Sequence, residues 1–217
     1  MRSAMERGQP DRIIQTILAR NSDMARQREF DTDVALDRAM HAFWSKGYEA
    51  TSLDELCAAT GLGRSSLYAA FGSKRRLYFE TLERYEQMLG QRLAAAFAGP
   101  RPIREAFADF LGGLIDEIVR GPGRRGCFIG NSAAELCRQD RRTAGKVRHS
   151  LELIENTFAA HLAAAKARGE LAADADIAAM ARFLTSSIQG LRLVGKANPE
   201  RAALDDIAAM MLRCLDR

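Results

Sequence analysis

The sequence predicts an all-α protein of about nine helices in two parts. Alanine-rich segments carry apolar residues at three- and four-residue spacing, and no run alternates as a half-buried strand does. Glycine and proline punctuate the chain at helix-length intervals. With 217 residues, 47% of them hydrophobic, the chain can build a core without staples and is too apolar for intrinsic disorder. No stretch approaches the roughly 18 uninterrupted apolar residues of a membrane span. The opening residues Met1–Arg7 lead into no apolar segment, so no secretory signal and a cytoplasmic location are expected. Cys57, Cys127, Cys137 and Cys214 lie too far apart for paired zinc ligands and read as reduced thiols. No metal and no cofactor is expected. Lys and Arg total 32 against 28 Asp and Glu, a net charge of +4 that decides nothing about nucleic acid. That question is local.

The elements follow in order. Residues 1–30 form a polar, Arg-rich extension whose apolar patch, Ile13, Ile14, Ile17 and Leu18, suits either a short helix or a loose arm. Residues 31–80 read as a three-helix unit and 81–217 as a larger helical one, the seam lying near Leu77–Leu82 inside a connecting helix. The first helix runs from Asp33 to Lys46 and ends at Gly47; the second opens at Ser52-Leu53-Asp54-Glu55, a capping box, and stops at Gly61. The third covers Arg64–Phe71 up to Gly72, and the fourth runs from after Ser73 to about Phe97, where Gly99-Pro100-Arg101-Pro102 breaks the chain. Further helices are expected over Ile103–Arg120, Cys127–Arg138 and Thr143–Arg168, the last closed by Gly169. Asp174 or Asp176 caps the next, which ends near Gly195, and Asn198-Pro199 is expected to open the final helix.

Residues 53–71 carry the functional signal. Gly61-Leu62-Gly63 joins two short helices, the size and glycine content of a helix-turn-helix corner. At about 100° per residue, Leu67, Ala70 and Phe71 point inward, Ser65 and Ala69 outward, and Ser66 and Tyr68 sit on the flanks. A face so small and polar can lie against base edges in a DNA major groove. No Asp or Glu occurs from Leu56 to Phe79, whereas Arg64, Lys74, Arg75 and Arg76 occupy the first turns of helices. Cations there oppose the helix dipole by roughly 0.3–1 kcal/mol each, and a bound phosphate reverses the balance.

The runs Ala39-Met40-His41-Ala42-Phe43-Trp44-Ser45-Lys46-Gly47-Tyr48-Glu49-Ala50-Thr51-Ser52-Leu53 and Gly61-Leu62-Gly63-Arg64-Ser65-Ser66-Leu67-Tyr68-Ala69-Ala70-Phe71-Gly72-Ser73-Lys74 resemble the DNA-binding domain of the TetR family of transcriptional regulators. The resemblance implies phosphate contacts from Thr51, Ser52 and Lys74, base reading by Arg64, Ser65 and Ser66, and a backbone or thymine-methyl contact from Tyr68. Ala69 and Ala70, bulkier in many relatives, shift base contact onto Arg64 and the serines. Phe43 and Trp44 are expected in the core. The resemblance also implies a second domain that takes a small-molecule effector and forms a homodimer on operator DNA.

The dimer has support in the residues themselves. From Ile177 to Val194 the only charges are Arg182 and Arg192, and two apolar stripes run along that helix: Ile177, Ala181, Leu184, Ile188, Leu191 and Met180, Phe183, Ser187, Gly190, Val194. A helix apolar on two faces must bury both. The final helix repeats the pattern, so the expected interface is Met180, Phe183, Ser187, Gly190, Val194, Ile207, Met210, Met211 and Cys214. Pocket candidates are Phe107, Phe110, Leu111, Leu114, Phe128, Asn131, Phe158 and His161. Cys127, after Arg124-Arg125-Gly126 at a helix start, is the candidate reactive thiol. The alternative to a ligand-released repressor is a helical thiol sensor or interaction module using Cys127. No phosphate loop, paired metal histidines or nucleophile elbow points to an enzyme.

Overall fold

Nine α-helices occur among the described residues, 32–216, of a computed structural model. The expected 1–30 extension lies outside the described residues. Helix α1 covers 32–46, followed by α2 (Leu53–Thr60), α3 (Arg64–Phe71), α4 (Lys74–Ala96) and α5 (Ile103–Arg120). A 3-10 turn at Pro122–Arg125 leads into α6 (Phe128–Leu136), then α7 (Arg141–Ala167), α8 (Ile177–Ala197) and α9 (Arg201–Leu212). Local chemistry sets these starts. Ser52 and Glu55 form the reciprocal capping box of α2; Ser73, Asp140 and Asp176 cap α4, α7 and α8 through their side-chain oxygens. None of these helices is long and apolar enough to cross a membrane.

Helices α1–α3 and the start of α4 enclose Ala39, Phe43, Leu56, Leu67, Phe71 and Leu77, all buried. The body centres on α5, whose Phe107, Leu111, Leu114, Ile115 and Ile118 are buried, with α7 and α9 packed beside it and α8 against α7. Head and body share α4 and a set of polar contacts. Tyr78 donates to Ser132 Oγ at 2.6 Å, and burial pushes the phenol up to about 12. Trp44 Nε1 donates to the Gly126 carbonyl at 3.2 Å, so this half-buried indole joins head to body while Phe43 is core.

Several expectations are corrected. Asn198-Pro199 does not open α9: the Asn198 amide donates to Val194 O and closes α8, and Glu200 is the N-cap. Proline here serves as the residue that cannot prolong α8. Ala70 is exposed rather than inward, because Leu67 and Phe71 alone fill the contact between α3 and its neighbours. Phe107, Phe110, Leu111, Leu114, Phe128 and Phe158 are buried in the core; Phe97 packs among Phe107, Phe110, Phe158 and His161 at centroid distances of 4.7, 5.8, 5.8 and 5.1 Å. Cys127 is buried as the N-cap of α6 and accepts a long bond from Tyr85 Oη at 3.7 Å, so it lacks the accessibility of a reactive thiol. The preceding arginines turn elsewhere, Arg124 to carbonyls of α5 and Arg125 over the Trp44 ring. Met211 is buried against its own protomer and leaves the interface set.

Candidate DNA-binding interface

The corner of the helix-turn-helix is set by Gly61, whose φ of +75° suits glycine; its amide closes α2 on Cys57 O. The chain then turns through Leu62 and Gly63 into α3. Leu67 and Phe71 anchor α3 inward, leaving Ser65 and Ala69 exposed on its outer side with Ser66, Tyr68 and Ala70 exposed on the flanks. Tyr68 is 45% exposed, a large aromatic ring held out to solvent.

The flanks are less simple than the sequence pattern. Arg64 donates from Nε and Nη2 to Asp54 Oδ1 at 3.0 and 2.6 Å, and that carboxylate raises the guanidinium's affinity for its proton. In the sequence Asp54 belongs to the α2 start; folding places it beside Arg64, ten residues away in the chain. Arg76 pairs with Glu80 at 3.0 Å and Arg75 with Asp140 of the body at 2.6 Å. Lys74 differs, having no carboxylate partner among the described residues and lying 4.4 Å from the centre of the Tyr48 ring. Lys46 pairs with Glu55, whose carboxyl is held down to about 2 by that ammonium and by the Ser52 amide.

Ser52 is exposed at the start of α2; its hydroxyl accepts the Glu55 amide and keeps its own hydrogen free to donate. Thr51 is corrected. Its side chain is fully buried and its hydroxyl donates to Gly47 O at 2.6 Å, so it shapes the α1–α2 turn and offers no side-chain donor outward. That same turn is gripped from the body: Glu135 of α6 accepts the amides of Tyr48 at 3.0 Å and Glu49 at 2.8 Å. Among the described residues no cluster of three His, Cys, Asp or Glu could hold a metal.

Comparison with known proteins agrees with this geometry. Residues 35–81 match the family model for bacterial regulatory proteins of the tetR family, and residues 103–211 match that of the tetracyclin repressor-like C-terminal domain. The chain is 34% identical over 189 residues to the HTH-type transcriptional repressor ComR of Escherichia coli (strain K12), covering 87% of this chain and 90% of that protein. It is 33% identical to the HTH-type transcriptional regulator YezE of Bacillus subtilis (strain 168) over 89% of this chain and 100% of that one. The TetR family regulator CifR, a cysteine mutant complexed with 26-base-pair double-strand operator DNA, superposes with a TM-score of 0.76 at 30% identity, covering 83% of this chain and 94% of CifR. The head with its helix-turn-helix, the all-helical body and these relatives lead to one conclusion: this chain belongs to the TetR family of transcriptional regulators.

Proposed function

We propose that the protein is a cytoplasmic homodimeric repressor that holds a two-fold operator and releases it when a small molecule binds the body. The observation that carries the reading is the α3 surface: exposed small or hydroxyl side chains with Tyr68 among them, flanked by Lys74, which has no carboxylate partner among the described residues. Arg64, Ser65 and Ser66 read base edges from the start of α3, Tyr68 meets backbone or a thymine methyl, and Ser52 and Lys74 hold phosphates. Thr51 acts through the turn it orders.

Dimerisation has its own support. Phe183, Val194 and Met210 are exposed, Gly190 opens the surface between them, and Met180, Ser187, Ile207 and Cys214 are half-buried at its border. Leu193, which the sequence pattern did not single out, is 68% exposed on the same helix. A contiguous apolar surface across α8 and α9 suits a second copy, and two recognition helices about 34–36 Å apart suit a palindrome. The relatives named as repressors favour repression over activation. The buried Cys127 argues against the thiol-sensor alternative.

The test is binding to the DNA immediately upstream of the protein's own gene. Affinity should fall steeply with salt, and Arg64→Ala should weaken it by about 1–3 kcal/mol and flatten preference at one base pair. Lys74→Ala should weaken it evenly across sequences. No binding at low salt refutes the proposal.

A further inference from the structure

The hollow between α6 and α8, about 230 Å³ in volume, is bordered by a charge that no carboxylate among the described residues matches. Asn131 and Ala134 border it from α6, and Gln189, Arg192, Leu193 and Lys196 from α8. Arg192 is only 8% exposed. Its Nη1 donates to the Gly126 carbonyl at 3.1 Å, and among the described residues no carboxylate pairs with it or with Lys196. A buried guanidinium normally has a carboxylate partner, because desolvating the charge is otherwise costly. Among the described residues Thr185 Oγ1 is the only enclosed side-chain polar atom without a partner. Arg192 itself borders the hollow, and among the described residues its one hydrogen bond is to Gly126 O. No acid lines it. Asn131 and Gln189 add amide donors, although Asn131 Nδ2 already gives one hydrogen to Arg125 O.

We infer that this hollow is the effector site, bordered by the second copy where Gly190 and Leu193 meet the dimer surface, and that its ligand is a small organic carboxylate, held by Arg192 and Lys196 with its hydrocarbon against Ala134. The volume is below the roughly 300–1,000 Å³ of drug-sized pockets, so the acid is small. The inference deepens the ligand-released reading and rests on it only for the second step below. Gly126 O accepts from two sides, from Arg192 of α8 and from Trp44 of α1 in the head. An anion that draws the guanidinium into the hollow loosens its hold on Gly126, and the loop that positions Trp44 is loosened with it. Site and head are thereby coupled by the ligand's different affinity for the two arrangements.

The first test uses the full chain without DNA. Thermal unfolding and calorimetric titration are run with benzoate and hexanoate, with the neutral benzamide and hexanamide, and with inorganic phosphate. The expected result is stabilisation by the carboxylates, absent with the amides and weaker with phosphate. Lys196→Gln, at an exposed position, should weaken carboxylate binding about 10- to 100-fold, the effect of losing one charge-assisted hydrogen bond. Arg192→Gln should abolish it; if that variant fails to fold, Arg192→Lys should fold and bind at least tenfold more weakly. Carboxylates that stabilise no more than their amides, or equally in the wild type and Lys196→Gln, overturn the site. So does Arg192→Gln separating the dimer while no anion stabilises the wild type, since the missing partner is then a second copy's carboxylate. The second test adds carboxylate to protein bound to operator. Release in the wild type but not in Lys196→Gln is expected, and binding without release overturns the coupling alone. Carboxylate binding by a chain that holds no DNA at low salt retains the site and refutes the repressor proposal.

Discussion

Glu135 supplies the prediction with the best-defined magnitude. Its carboxylate receives two backbone amides from the turn that follows α1, at 3.0 and 2.8 Å, and ties the DNA-facing head to α6. Hydrogen bonds to charged groups contribute about 1.5–3 kcal/mol when well buried. The Glu49 bond is exposed, and solvent screening reduces it. Glu135→Ala should therefore cost about 1–2 kcal/mol, or roughly 2–4 °C in melting temperature for each kcal/mol in a chain of this size. Glu135→Gln keeps one acceptor oxygen and should lose about half as much. The assay is denaturant unfolding together with amide exchange at Tyr48 and Glu49, which should quicken in Glu135→Ala. Gly47 provides the cross-check. Its φ is +88°, and a Cβ built there lies 2.6 Å from Glu135 Oε2. Gly47→Ala should cost about 1–2 kcal/mol for the left-handed backbone alone and also displace the carboxylate. The double variant should then be less destabilised than the sum of the singles. A Glu135→Ala loss below about 0.5 kcal/mol with unchanged exchange at both amides refutes the clamp.

Other outcomes follow from the same structure. Tyr68→Ala should leave stability within about 0.5 kcal/mol while weakening operator binding, whereas Leu67→Ala, one residue away and buried, should cost about 2–5 kcal/mol; equal unfolding midpoints would contradict the assigned faces. Phe183→Glu should yield a folded monomer on sedimentation with far-ultraviolet dichroism intact, and a persisting dimer would place the interface elsewhere. His41 accepts from Arg125 Nη1 at 2.8 Å through Nδ1, and burial, then the Arg125 charge, lower its pKa against the opposing pull of Asp37. A depressed pKa means that the unfolded chain takes the proton first, so stability is full above about 6.5 and falls on acidification below it. His41→Asn should flatten melting temperature between pH 7.5 and 5.5, and parallel pH profiles for variant and wild type would exclude this residue as the cause.

What could be read from the sequence was what is decided within a few residues. Ser52 and Glu55 lie three apart, so a capping box needs nothing from the rest of the fold, and Gly61 and Gly72 ended helices where local backbone geometry required it. The two stripes of α8 separated correctly because a helix sorts its faces by period alone. The failures needed a second element to decide. Asn198-Pro199 suits a helix start as well as a helix exit, and only α8's prior claim on the Asn198 amide settles which. Arg64 reads as a free cation until Asp54 of the neighbouring helix meets it. Thr51 has the right residue type for a phosphate contact, but its hydroxyl turns back to Gly47 O. Cys127 has cations before it in sequence that fold away from it in space. Periodicity alone makes the phenylalanines around Phe97 suit a cavity wall or a packed cluster equally.

Helix α4 has a mechanical consequence. It runs unbroken for 23 residues, from its cap at Ser73 beside the recognition helix to Ala96 deep in the body, about 34 Å at 1.5 Å per residue. A rod that continuous has no joint at which the two parts could swivel independently. A tilt of roughly 5° at the body end carries the far end some 3 Å sideways, about the rise of one base pair along B-DNA. In the proposed dimer the two displacements would add, so an adjustment smaller than one side chain would be enough to put two reading heads out of step with successive grooves.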